Sequence, residues 1–220
     1  VGGVPAKLAL FPLENVVLLP EGVVPLHIFE PRYRQMMEDV LAADRRVGMV
    51  AVRPEHAHEM AGDPPLYAIG CAGFVSEYQR LADGRFHLLL RATHRFRIVR
   101  ELPREAGRRY RVAEVEALEE RLGDRARALA ARERVIELLL RLSRRMLGPE
   151  RSVDVAQLRA LELGQLASGV AQSVGLPTRE KQALLEANTL AERLESLVCA
   201  LDFHLALLER TAAEGSGTVH

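Results

Sequence analysis

The chain has 220 residues, enough for one large domain or two small ones with a real core. Apolar residues make up 48% and charged residues 27%, a balance that excludes the disordered and low-complexity classes. Formal net charge is zero, so no overall field draws the chain to nucleic acid or to a membrane surface. No apolar run approaches the roughly 20 residues of a membrane span, and no signal-peptide pattern opens the sequence. The only cysteines are Cys71 and Cys199, so no disulfide framework is called for and a cytoplasmic location is expected.

Up to about residue 118, short β-rich runs alternate with turn residues. These runs are "VVLLP", "VGMVAV", "LYAIGCAGFVSEY", "FHLLLRA", "RFRIVREL" and "YRVAEVEAL". Asp83-Gly84 separates two of them and predicts a hairpin, because glycine accepts the positive φ of a tight turn. In "RATHRFRIV", Phe96 and Ile98 point one way and Arg95 and Arg97 the other. One helix interrupts the strands. Pro31 suits its first position, and Tyr33, Met36, Met37, Val40 and Leu41 form an apolar stripe. Arg45 and Arg46 are expected in its last turn, with Gly48 as the break.

Beyond residue 118 the period becomes helical. Three helices are expected, over about 121–147, 154–174 and 178–210. Gly148-Pro149 and Gly175/Pro177 mark the breaks, and Asp154 with Gln157 has the spacing of a capping box. The organisation predicted is therefore a β-rich part over 1–118, a helical bundle over 119–212 and a flexible tail over 213–220. The fold class is α+β, with the bundle ending in a long helix.

With both halves placed, "LALFPLENVVLLPEGVVPLHIFEPRYRQMM" resembles the opening of the Lon protease N-terminal, or Lon substrate-binding, domain. "IGCAGFV" and "LADGRFHLLLRATHRFRI" resemble that family's central hairpin, and "REKQALLEANTLAERLESL" the segment opening its last long helix. The resemblance runs in order over about 7–210. It implies a PUA-like pseudobarrel followed by helices. It also implies a role in recognising polypeptide, in a free-standing form without the ATPase and protease domains.

The chemistry absent from the sequence agrees with a binding role. No G-x-x-x-x-G-K-[ST] phosphate cradle and no G-x-S-x-G elbow occurs, and neither cysteine lies in a CxxC. No catalytic residue, cofactor or metal site is expected. His56, His58 and Glu59 stand in a loop flanked by Pro and Gly, which reads as solvated segment rather than as zinc ligands.

Two surfaces are candidates for partners. The first is an apolar rim around "LLPEGVVPLHIFEP", with Leu19, Val24, Leu26 and Phe29 partly exposed and His27, Glu30, Arg32 and Tyr33 beside them. Extended polypeptide is its expected ligand, by strand addition. The same polar residues equally suit a scaffold role: Glu30 favours the positive end of the helix, and Arg34 stands four residues on to pair with it. The second surface is the arginine-rich stretch 85–111, where Arg91, Arg95 and Arg97 form an alternative face for RNA. Aromatic residues for base stacking are scarce there, which weighs against it. Oligomeric state is left open, with no membrane partner expected.

Overall fold

The computed structural model describes residues 4–60, 62–147 and 154–216. It divides into two compact units, 4–120 with 177–186, and 121–176 with 187–216, among the described residues. The expected tail, 213–220, starts too early, since helix continues to Ser216, and its remaining residues 217–220 lie outside the described residues.

The first unit contains six strands: β1 (Lys7–Leu13), β2 (Val23–Ile28), β3 (Arg46–Ala51), β4 (Ile69–Arg80), β5 (Phe86–Glu101) and β6 (Arg111–Leu118). Their order is β2-β5-β4-β3-β1-β6, and β5 pairs with β6 as well. β1, β3, β4, β5 and β6 therefore close a ring. The long β5 makes this possible, since Phe86–Arg91 pairs with β2 and Arg95–Glu101 pairs with β6. β2 pairs with β5 alone among the described strands and so forms an edge. The β4–β5 turn is the predicted hairpin: Gly84 has φ +81, and its N–H donates to Leu81 O at 2.9 Å.

The ring encloses Leu8, Leu10, Val50, Ala72, Phe96 and Ala113, all 2% exposed or less. Gly48 lies inside β3 rather than at a helix break, because a Cβ there would come within 2.9 Å of the Phe96 ring. α1 (Pro31–Ala42) is shorter than expected. Arg45 turns the chain with φ +60, and Asp44 accepts the Arg46 N–H at 3.1 Å, so Arg46 opens β3 instead of ending the helix. The buried stripe of α1 is Tyr33, Met36, Met37 and Val40. Tyr33 meets Phe11 of β1 edge-on, ring centroids 4.7 Å apart.

α5 (Thr178–Glu186) also belongs to this unit, packing on β4. The sequence pattern predicts one helix over 178–210, whereas the structure has two. The break falls at Ala187–Thr189, where the Asn188 N–H donates to Glu192 at 3.0 Å and Thr189 Oγ1 accepts the Glu192 N–H at 3.2 Å.

The second unit contains α2 (Arg125–Leu147), α3 (Val155–Ala160), α4 (Leu163–Ser173) and α6 (Leu190–Ser216). The expected helix over 154–174 is two helices. Asp154 caps the first through the N–H groups of Ala156 and Gln157, and Glu162 with Gln165 forms a reciprocal capping box on the second. α2 and α6 run parallel with a seam of period seven. Arg127–Glu195, Arg134–Asp202 and Arg141–Glu209 pair at 2.6, 3.0 and 3.2 Å, each across 68 residues. Ala128, Ala131, Val135, Leu138 and Leu142 on α2 are buried with Ala191, Leu194, Leu201 and Leu205 on α6, a coiled-coil-like spacing.

Candidate functional site: the free edge of β2

Backbone direction on β2 follows from its neighbours. Ala92 N–H donates to Gly22 O at 2.8 Å, so Ala92 faces β2, and by alternation so do Leu90 and Leu88. Their partners Val24 and Leu26 are therefore bonded inward. Leu89 O instead accepts from the Ser76 hydroxyl at 3.2 Å, toward β4. Val23, Pro25 and His27 consequently turn their backbone groups to the open side. Proline is tolerated at that position because it has no N–H to leave unpaired.

Accessible apolar side chains lie on and near this edge, among polar ones that include Glu77 and Gln79. Phe29 is 58% exposed, Tyr78 46% and Val23 36%. Beside them lies a groove of about 460 Å³, lined by Pro25, Leu26, His27, Tyr78, His87 and Leu89 among others. His27 stands opposite His87 in register, their rings 4.8 Å apart and edge-on, and lies 5.8 Å from the Phe29 ring. The structure thus brings together Val24, Leu26, His27 and Phe29. It adds Val23 of the same segment, and Tyr78 and His87, which only the long-range pairing of β2 with β5 and of β5 with β4 brings there.

Other expected members are placed differently. Leu19 is fully buried with Val17 and Leu18, since the chain folds these side chains into the core before a turn closes from Gly22 N–H to Leu19 O. Tyr33 is 4% exposed, and burial pushes its phenol up to about 12. Glu30 and Arg32 act on each other: Arg32 Nε donates to Glu30 at 2.9 Å and its Nη2 to Met60 O at 2.7 Å. Arg34 does not pair with Glu30; its guanidinium lies over Gly84.

The alternative RNA face does not hold together. Arg95 is 3% exposed and donates to Leu185 O at 2.9 Å, because α5 covers the outer face of β5 at that point. Arg97 stands 3.9 Å from Glu116, and only Arg91 of the three is exposed without an ion pair among the described residues. Nearby, Arg100 pairs with Glu114, Arg111 with Glu101 and Arg104 with Asp63. The basic stretch is largely an internal ion-pair network. His56 Nδ1 is likewise engaged, 2.8 Å from Glu59, whose carboxyl is held below its usual range by that hydrogen bond. No group of three or more His, Cys, Asp or Glu side chains among the described residues is arranged to hold a metal.

The second unit has its own concave surface, a groove of about 460 Å³ lined by Leu139, Leu142, Met146, Leu158, Leu161 and Val170 among others. Met146 is 63% exposed at its rim, and the buried Ser143 hydroxyl beside it has no hydrogen-bond partner among the described residues. No helix among the described residues is long and apolar enough to cross a membrane.

Comparison with known proteins agrees with this architecture. The chain is 30% identical over 209 residues to Lon protease 2 of Syntrophobacter fumaroxidans, covering 94% of this chain and 26% of that protein. It is 27% identical over 201 residues to the Lon protease of Azospirillum brasilense, covering 90% and 24%. The chain thus spans about a quarter of the length of these curated relatives. Among solved structures, the N-terminal domain of Mycobacterium avium complex Lon protease shares the fold, with a TM-score of 0.68 at 18% identity, covering 90% of this chain and 99% of that one. The Lon N-terminal domain protein from Xanthomonas campestris aligns with a TM-score of 0.60 at 26% identity, covering 88% and 97%. The family model for the ATP-dependent protease La (LON) substrate-binding domain matches residues 7–202, and the chain belongs to that family.

Proposed function

We propose that the chain recognises unfolded or extended polypeptide, and that the free edge of β2 with its adjoining groove receives it. The observation that supports this most is the combination at one place of unpaired backbone groups and accessible apolar side chains. A segment adding to β2 would gain main-chain hydrogen bonds from Val23 and His27, which are indifferent to sequence. Apolar side chains of the ligand would enter the groove between Leu26, Tyr78 and His87. No step of this requires bond-breaking chemistry, and the module is non-enzymatic in this reading.

Such a module has two uses beside a full Lon protease, and they have opposite consequences. As an adaptor it delivers clients and raises their rate of degradation. As a competitor it withholds them and lowers it. Adding the purified chain to a degradation assay separates the two.

Binding itself is tested by fluorescence anisotropy with a labelled, unstructured polypeptide rich in Leu and Phe. Phe29→Ala and Leu26→Asp are each expected to weaken binding by about 5-fold or more, the effect of removing a central interface contact. Met146→Ser, in the helical groove, leaves it unchanged. The opposite pattern would move the site to the helical unit.

A further inference from the structure

A second polar feature lies three residues past the exposed Phe29. Arg32, Tyr33, Asp63, Arg104, Arg109 and Arg111 converge on a narrow cleft with space for about one water, about 10 Å³. Four arginines line or flank it, and three carboxylates, Glu30, Asp63 and Glu101, are paired with three of them. Arg32 is held by Glu30 and Met60 O, Arg111 by Glu101 and by Pro64 O at 2.8 Å, and Arg104 by Asp63. Arg109 keeps an exposed guanidinium with no ion pair among the described residues, which leaves one positive charge uncompensated. Tyr33 lines the same cleft, 4% exposed as a residue; its hydroxyl donates to no protein group among the described residues, yet is not among the fully buried unpartnered polar atoms and so opens on the cleft. With its phenol pushed up to about 12, that hydroxyl keeps its proton at neutral pH and is a donor without an acceptor.

We infer that this cleft is a carboxylate subsite of the polypeptide-binding surface, in which Tyr33 and Arg109 donate to one carboxylate oxygen of the bound chain. The inference rests on the polypeptide reading above. Its geometry fits the β2 edge: from Phe29 to Arg32 the backbone reaches at most about 11 Å. A strand added parallel to β2 brings its own C-terminal end to this side, and an acidic side chain reaches the cleft from either direction. Charge-assisted donors around a cleft of this size select an oxygen anion over a neutral amide.

The test uses three labelled versions of one short Leu- and Phe-rich peptide: free C-terminal acid, C-terminal amide, and amide with a penultimate Asp. Anisotropy titrations are run at about 0.1 M salt, where screening leaves contact pairs in place. The free acid or the Asp peptide is expected to bind about 10-fold tighter than the plain amide. Whichever of the two gains identifies the terminus or the side chain as the source. In Arg109→Ala, and separately in Tyr33→Phe, that advantage falls below about 2-fold while affinity for the plain amide stays as in the wild type. Arg109 is exposed, so its variant keeps the test interpretable should loss of the Tyr33 hydroxyl disturb folding. Equal binding of all three peptides, or equal losses for acid and amide in both variants, overturns the carboxylate subsite and leaves polypeptide binding standing. Failure of every peptide to bind overturns both.

Discussion

The two units satisfy their polar groups in different ways. In the β unit, side chains bridge segments far apart in sequence. Gln35 donates to Gly107 O at 2.8 Å, accepts the Arg109 N–H at 2.9 Å, and stands near Tyr110, whose hydroxyl donates to Asp39 at 2.8 Å. In the helical unit the repeated device is a ladder of exposed ion pairs at one constant offset of 68 residues. The first arrangement fixes irregular loops and an open edge in one geometry, which suits a recognition surface. The second fixes the register of two parallel helices, and each of its rungs contributes little by itself.

The largest expected effect lies in the ring of strands. Phe96→Ala removes a fully buried aromatic that Gly48 approaches closely, and costs about 3–5 kcal/mol in urea unfolding. A cost under about 1 kcal/mol would mean that the ring collapses around the gap and that its packing is not the support of the β unit.

Next in size is Arg95→Ala. It leaves Leu185 O, and Glu119 O at 3.4 Å, without their charged donor, at about 1.5–3 kcal/mol. Hydrogen exchange in α5 should quicken, and nucleic-acid affinity should not change with it. A strongly salt-dependent loss of RNA binding would restore the basic-face reading.

A comparable effect comes from alkaline pH. The Tyr33 phenol stands at about 12 in the fold against 10.0 when unperturbed, because burial disfavours its anion. The unfolded chain then releases this proton first, so Tyr33 stabilises the fold fully below pH 10 and progressively less as pH rises toward 12. The shift corresponds to about 3 kcal/mol. In Tyr33→Phe the Tyr33 share of that dependence disappears and the stability curve above pH 10 flattens, while Tyr110, raised to about 12 by burial and its hydrogen bond to Asp39, keeps the remainder. An unchanged slope would show that the phenol is hydrated.

The smallest effect tests the ladder. Arg134→Ala costs about 0.2–1 kcal/mol, and less at high salt. Exchanging the charges, with Arg134→Asp and Asp202→Arg together, recovers most of it. A single-site loss above about 2 kcal/mol would mean that the rung is buried in solution.

Much of this architecture was legible beforehand, and where it was not the reason is physical. Alternation placed Phe96 and Arg95 on opposite faces, but it carried no sign that α5 returns to cover Arg95. Asp83-Gly84 located the hairpin, since that turn is local. The helix start at Pro31 was equally local, whereas its end depends on the left-handed turn at Arg45. Leu26, His27 and Phe29 were visible as an apolar rim, while Tyr78 and His87 join them only through long-range pairing. The seven-residue spacing of Arg127, Arg134 and Arg141, and of Glu195, Asp202 and Glu209, is in the sequence, but it fits antiparallel helices equally well, and only the observed pairs set the direction.

The most direct measurement is amide hydrogen exchange on the purified chain, with and without a saturating unstructured Leu- and Phe-rich polypeptide. If the open edge of β2 receives the ligand, exchange at Val23 and His27 slows on binding while Val24 and Leu26, already bonded to β5, change little. Protection confined to the helical groove around Leu139 and Leu161, with Val23 and His27 unaffected, would contradict the account.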